Sequence, residues 1–266
     1  MYQDYWELKL LPFENVPNPA LFYPSAIHEE ALTRLSYTVS QGKGAAMIVG
    51  GPGCGKTTLS RVLMRRLADM RYRVATMTNP ALEPLDFLQT VLTAFKVNGN
   101  HCSSKFAIWD ALENNFRMNL QQNKGSVLVV DEAQVIDNDK TLEELRMLMN
   151  LQSNDTFLLN VILLGQPELE ERISRSEALL QRVAIRYRLQ PFSPSETCRY
   201  IRHRLEAAGF KSIPFTAEAI TAILNYSSGN PRIINKLCDR SLLGAYLADK
   251  KVVTRTTVRE AWEDLL

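Results

Sequence analysis

The chain has 266 residues, 45 % of them apolar and 23 % charged, with a net charge of +2. This is an ordinary globular balance, sized for one large domain or a medium domain with a small companion, and charge alone gives no pull toward nucleic acid or membrane. The opening MYQDYWELKLLPF lacks a basic stretch before an apolar core, and the most apolar run, FLLNVILLG, falls far short of the ~20 residues that span a bilayer.

In chain order, residues 1–42 read as an N-terminal cover segment and a helix. The segment is rich in proline and aromatics and is expected to pack through Trp6, Phe13, Phe22 and Tyr23. The helix carries Ile27, Ala31, Leu35 and Val39 at helical spacing and ends at Gly42. From 43 to 191, AAMIV, YRVATMT, SVLVVD, FLLNVILLG and IRYRLQPF read as strands. Helical patterns lie between them: TTLSRVLMRRLADM, EPLDFLQTVLTAFKV, SKFAIWDALENNFRMNLQQN, KTLEELRMLMNLQ and PELEERISR. Five apolar strands separated by helices predict an α/β domain, a parallel sheet covered on both faces. QPFSPSET then breaks the pattern with two prolines, and residues 192–266 read as a small all-helical domain. Its helices are ETCRYIRHRLEAAG, TAEAITAILNYSSG, NPRIINKLCDRSLLGAYLAD and TRTTVREAWEDLL. Ser193 with Glu196, Thr216 and Thr254 fit N-caps, and Gly209 and Gly229 fit helix ends.

Cys54, Cys102, Cys198 and Cys238 are scattered without a CxxC pair, which points to a reducing, cytoplasmic setting. His28, His101 and His203 show no metal spacing and take no catalytic role.

Gly50, Gly51, Pro52, Gly53, Cys54, Gly55, Lys56 and Thr57 match GxxxxGK[ST] between a predicted strand and a predicted helix, the context this phosphate-binding (Walker A) loop requires. Glycines let backbone N–H groups turn inward around phosphate oxygens, and the helix start, with Thr58 next in line, presents its positive end. Lys56 would neutralise the β- and γ-phosphates of ATP, and the Thr57 hydroxyl would ligate Mg²⁺. The strand in VLVVDEAQ ends on Asp131 and Glu132. Asp131 is placed to hold the Mg²⁺ through water, and Glu132 to orient or deprotonate an attacking water. Glu132 separates a hydrolase from a passive nucleotide binder.

Weaker positions follow. Asn79 either holds Glu132 off its water or caps the turn before Pro80. Gln166, at a buried strand tip, either faces the γ-phosphate or is a loop amide, the first being favoured by the rule that ligands sit at strand C-terminal ends. Arg232, at a helix start in the helical domain, would fold onto the γ-phosphate. Arg182 would reach a neighbouring copy's nucleotide and stabilise transition-state charge, with Arg186 as its rival; surface ion pairs are the bland alternative for both.

Together, the Walker A loop at 50–57, the Walker B strand at 127–132, Gln166, Arg182 and GNPR at 229–232 resemble an AAA+ ATPase with its α-helical lid, over nearly the whole chain. More narrowly, MYQDYWELKLLPFENVPNP, FYPSAIHEEALTRLSY, GQPEL and RYRLQPFSPSET..YIRHRLEAAG resemble the ExeA/GspA-type ATPases, linked to type II secretion and pilus biogenesis. That branch is similar to transposition ATPases of the TnsC/MuB type, which form ATP-dependent filaments on DNA. The resemblance implies a P-loop NTPase with a helical lid, a homo-oligomer (ring or filament), and a protein partner in a secretion or pilus machine. It places the protein in the cytoplasm, at the inner face of the membrane through that partner. It also implies an N-terminal cover over the adenine, with Tyr23, Pro24 and Ile27 as candidates and His28 nearby. The ExeA type carries a membrane helix and a periplasmic part after the ATPase, which this sequence lacks; a stand-alone relative and a piece of a longer protein are both open.

Duplex DNA is the alternative partner. Arg61, Arg65, Arg66, Arg71 and Arg73 crowd one helix end and the next strand, and Arg199, Arg202 and Arg204 form a second group with Lys211. Phosphate contacts by such groups would weaken steeply with salt; a solvated helix face is the other reading.

Overall fold

The computed structural model describes residues 2–98, 104–153, 156–210 and 212–265. His101, Cys102 and Lys211 lie outside them. The first helices are α1 (Tyr2–Tyr5), α2 (Ala26–Ser40), α3 (Lys56–Asp69), α4 (Pro84–Ala94), α5 (Lys105–Gln121) and α6 (Asp139–Met149). They are followed by α7 (Pro167–Ser174), α8 (Glu177–Leu180), α9 (Pro194–Ala207), α10 (Ala217–Ser227), α11 (Pro231–Leu247) and α12 (Arg255–Glu263). The strands are β1 (Ala45–Gly50), β2 (Tyr72–Met77), β3 (Gly125–Val130), β4 (Gln152–Ser153), β5 (Thr156–Phe157), β6 (Leu159–Gly165) and β7 (Val183–Leu189).

Five strands form one parallel sheet in the order β2-β3-β6-β1-β7; β4 and β5 pair antiparallel beside it in sequence. The sequence dictates which strands are central. β1 and β6 are buried at every position, as is β3 after its first residue, because both parities are apolar. Met47, Val49, Leu128, Val130, Val161 and Leu163 join one core with Phe87, Leu88, Leu112 and Phe116 from α4 and α5. Ala46, Ile48, Val127, Val129, Ile162 and Leu164 are buried on the opposite face. The edge strand β7 alternates instead, exposing Ala184, Arg186 and Arg188. The predicted five-stranded parallel α/β sheet is therefore present, and parallel pairing sets all five C-terminal ends along one edge.

By packing, the chain divides into two units. One comprises Ala26–Pro52 and Leu59–Leu189 and holds the sheet; the other comprises Met1–Ser25, Gly53–Thr58 and Gln190–Leu266 and is helical. Residues 1–42, read from sequence as one N-terminal piece, fall in both. The α2 helix packs on β1 and β7, whereas Trp6, Leu8 and Phe13 enter the helical unit's core with Ile201, Leu205, Ile234 and Leu237.

The helical unit adds directional polar contacts to its apolar core. Trp6 Nε1 donates to the Leu242 carbonyl at 3.2 Å, and the Tyr200 hydroxyl to Asn235 Oδ1 at 2.7 Å. Arg204, 6 % exposed, donates to the carbonyls of Pro12, Glu14 (3.0 Å) and Leu21 (3.5 Å). It ties down the N-terminal segment and is not part of an exposed basic group with Arg199 and Arg202. Ser193 and Glu196 form the expected capping box, and Thr216 and Thr254 cap α10 and α12. Gly229 is required outright: its φ is +77°, and a Cβ there would stand 2.0 Å from the Phe192 carbonyl oxygen.

Candidate functional site

β1 ends at Gly50 and α3 begins at Lys56, so the glycine loop has the strand–loop–helix frame its motif needs. Gly53 and Gly55 have φ of +82° and +92°, the left-handed region that side chains resist. A Cβ on Gly53 would come to 2.6 Å from Arg232 Cβ and 2.7 Å from Asn230 Oδ1, both in the same unit, so the start of α11 lies against the loop. Left-handed turns in such a loop aim successive N–H groups to one side, forming an anion-binding concavity at the positive end of a 14-residue helix. Lys56 is 5 % exposed and Cys54 is buried. Gly51, Gly53, Gly55, Thr57 and Thr58 are half-buried and Pro52 is exposed. A backbone cradle beside a buried ammonium fits a chain of phosphates.

The second cluster sits at the C-terminal ends of β3 and β6. Asp131, 4 % exposed, donates its backbone N–H to the Met77 carbonyl at 2.8 Å, which anchors it to the end of β2. Its Oδ1 accepts the Glu132 backbone N–H at 3.0 Å. Glu132 is left-handed, with φ 53° and ψ 36°. Such a backbone in a residue with a side chain is uncommon and gathers at functional sites. The Glu132 carboxylate accepts a hydrogen bond of 2.6 Å from Gln134 Nε2, and Gln134 Oε1 accepts the Gln166 backbone N–H at 3.0 Å. Glu132 and Gln166 are thus brought together by a residue to which the motif reading gave no role. The sequence signal was the DEAQ run itself, an amide two residues past the acid at a strand end.

Asn79 is exposed after β2, and Oε2 of the Glu132 carboxylate accepts from Gln134. Gln166 is the N-cap residue of α7 without a side-chain cap bond, which leaves its amide uncommitted to the helix. Arg182 is half-buried just before β7, and Arg186 is exposed on it. Arg232 is exposed in the first turn of α11, its backbone N–H on Asn230 Oδ1 at 3.0 Å. Tyr23 packs in the helical unit against Phe192, Tyr200 and His203, with centroids 5.8, 5.9 and 5.5 Å away. Ile27 is half-buried on α2 and His28 is buried, both in the sheet unit.

Among the described residues, no helix is long and apolar enough to cross a membrane. Comparison with known proteins gives a match to the AAA domain family model over residues 39–173, half of the chain. The General secretion pathway protein A of Aeromonas hydrophila is 36 % identical over 248 residues, covering 92 % of this chain and 45 % of that protein. A Potential ATP-binding protein of Staphylococcus aureus is 33 % identical over 116 residues, covering 42 % of this chain and 40 % of that protein. The chain spans less than half the length of these curated relatives. Among solved structures, Cdc6p from Pyrobaculum aerophilum superposes with a TM-score of 0.75 at 16 % identity, over 94 % of this chain and 71 % of that one. A chain of Drosophila ORC bound to DNA gives 0.72 at 20 % identity, over 99 % and 65 %. At such identities the likeness is one of fold. A glycine loop after β1, an acidic pair after β3, a five-stranded parallel sheet and the family match together place this chain in the AAA domain family, an AAA+ P-loop ATPase related to General secretion pathway protein A.

Proposed function

We propose that this chain binds and hydrolyses ATP with Mg²⁺ and uses the cycle, as a homo-oligomer, to assemble or remodel a protein machine of the secretion or pilus kind. Its place in this reading is the cytoplasm, at the inner face of the membrane through a partner. The observation that carries the hydrolase reading is Glu132: an acid at the end of a buried strand, in a left-handed backbone and hydrogen-bonded by Gln134. A carboxylate held in this way suits the orienting of an attacking water. The identity to General secretion pathway protein A supports the choice of a protein machine.

In this mechanism the loop Gly50–Thr58 wraps the phosphates with backbone N–H groups, and Lys56 balances β- and γ-phosphate charge. Thr57 and Asp131, hard oxygen donors of the kind Mg²⁺ takes, are the residues that would hold it. The cation would neutralise charge on the phosphates and help align them. Glu132 orients the water and takes its proton, Gln166 contacts the γ-phosphate, and Arg232 reads it from the helical unit. Arg182 completes the site of a neighbouring copy, Tyr23 and Ile27 cover the adenine, and Asn79 holds Glu132 off its water until a partner arrives. Phosphate release from ATP tests this: turnover that stops on chelating Mg²⁺, with particle mass rising when ATP is present, is expected. Tight ATP binding with no release at any protein concentration would contradict it.

A second reading, an ATP-dependent regulator that forms filaments on duplex DNA, is favoured by one observation. Arg65, Arg71 and Arg73 are exposed near the end of α3 and in β2. Against it, Arg66 is paired with Glu29 at 3.0 Å, and Arg204 is buried. DNA binding that needs ATP·Mg²⁺ and survives physiological salt would select this reading; weak binding indifferent to ATP would discard it.

A further inference from the structure

Gln134 lies in the 3-10 turn Ala133–Val135 that follows Glu132. Its amide is used at both ends: Nε2 donates to Glu132 Oε2 at 2.6 Å, and Oε1 accepts from the Gln166 N–H at 3.0 Å. The two partners fix which way the amide faces. Turned over, it would set its oxygen against a carboxylate and its NH₂ against an N–H. The tip of β6 is open to this amide because residue 165 is glycine. A Cβ there would come to 3.0 Å from Gln134 Oε1 and 2.6 Å from Leu169 Cδ2. On the other side, Glu132 is turned by its left-handed backbone, with its N–H on Asp131 Oδ1.

We propose that Gln134 is a positioning residue for hydrolysis. It grips one oxygen of the Glu132 carboxylate, leaves Oε1 to take the attacking water, and ties that carboxylate to the strand tip whose Gln166 faces the γ-phosphate. This rests on the ATPase reading above. Its consequence is that the water contact and the γ-phosphate contact are the two ends of one short hydrogen-bonded chain, Glu132–Gln134–Gln166. Gln134 therefore governs the chemical step and leaves nucleotide affinity alone.

The test compares wild type, Gln134→Met, Glu132→Gln and the double variant in single-turnover ATP hydrolysis, with binding of a fluorescent ATP analogue measured alongside. Gln134→Met keeps the shape of the side chain and loses both hydrogen bonds. It is expected to lower the hydrolysis rate about 10- to 100-fold, the scale of a misplaced catalytic group, with analogue binding unchanged. Added to Glu132→Gln it should cost nothing further, because both changes act through one carboxylate. Should Gln134→Met fail to fold, Gln134→Glu replaces it; that variant keeps the acceptor for Gln166, sets a carboxylate against Glu132, and is expected to lose rate while still binding nucleotide. A wild-type rate in the Gln134 variant, losses that multiply in the double variant, or a loss confined to binding would overturn the positioning role. Wild-type turnover in Glu132→Gln would instead overturn the ATPase reading on which it stands.

Discussion

The sheet unit and the helical unit close their interiors by different means. Around β1, β3 and β6 the interior is mainly apolar, aliphatic strand residues packed with Phe87 and Phe116, and most side chains on both faces are interchangeable in kind if not in size. The helical unit adds groups with specific partners: Arg204 on three carbonyls, Tyr200 on Asn235, Trp6 on the Leu242 carbonyl, Gly229 against Phe192. Apolar burial fixes a sheet without naming individual contacts, whereas a small unit with less apolar area to bury needs directional ones. The sheet unit has buried and half-buried polar contacts too, such as Asn119 Nδ2 to Ser126 Oγ at 3.0 Å and Trp109 Nε1 to Glu144 at 3.1 Å, and a further set gathers where its strands end, at Asp131, Glu132, Gln134 and Gln166. There it constrains a candidate site.

Substitutions can break this contrast, the harshest first. Gly229→Ala forces a Cβ into a backbone carbonyl in a left-handed conformation and should destabilise the helical unit by about 4 kcal/mol, read as a lower urea midpoint or loss of soluble protein. Wild-type stability there would remove the packing role given to Gly229. Arg204→Met keeps the bulk but leaves three carbonyls without their donor, at about 3 kcal/mol, whereas a neutral or stabilising outcome would make the polar clamp dispensable. In the sheet unit, Ile162→Ala should cost about 3 kcal/mol but Ile162→Val only about 1 kcal/mol. A cost for Ile162→Val equal to that of Arg204→Met would erase the difference between the units.

The smallest effect concerns pH. Burial, and then the carboxylate of Asp239 to which its hydroxyl donates at 2.5 Å, push the Tyr2 phenol well above the ordinary tyrosine range. A raised pKa means the folded state keeps its proton longer than the unfolded chain, so the contribution is present below pH ~10 and lost as pH rises further. Tyr2→Phe should thus cost about 1 kcal/mol at neutral pH and flatten the alkaline loss in urea titrations. An unchanged alkaline limb would take Tyr2 out of the account.

Much of this was legible in the sequence because the signals are local. The strands β1, β3 and β6 are apolar at both parities, so their runs announce buried parallel strands wherever the chain folds. The glycine loop declares itself by spacing, and Asp131 and Glu132 by following a buried run. What was hidden depends on contacts between distant segments. Arg204 read as one of three arginines on a helix, yet it falls in the buried stripe Thr197, Tyr200, Ile201, Leu205, Ala208, while Arg199 and Arg202 face out. Periodicity held that information. Gln134 stood in the DEAQ run, but its contact with Gln166 had no such signal: it exists only because β3 and β6 are neighbours and Gly165 leaves room. The short pieces α8, β4 and β5 have too few residues to show a period.

The most direct measurement is hydrolysis of ATP by wild type and by Glu132→Gln at equal nucleotide occupancy. The account predicts that both bind ATP·Mg²⁺ alike and that the variant hydrolyses it slower by about 10²- to 10⁴-fold, the range for a lost general base. Equal hydrolysis by the two, or none by wild type under any condition that supports binding, would contradict the assignment of Glu132 and with it the reading of this chain as an ATP-driven machine.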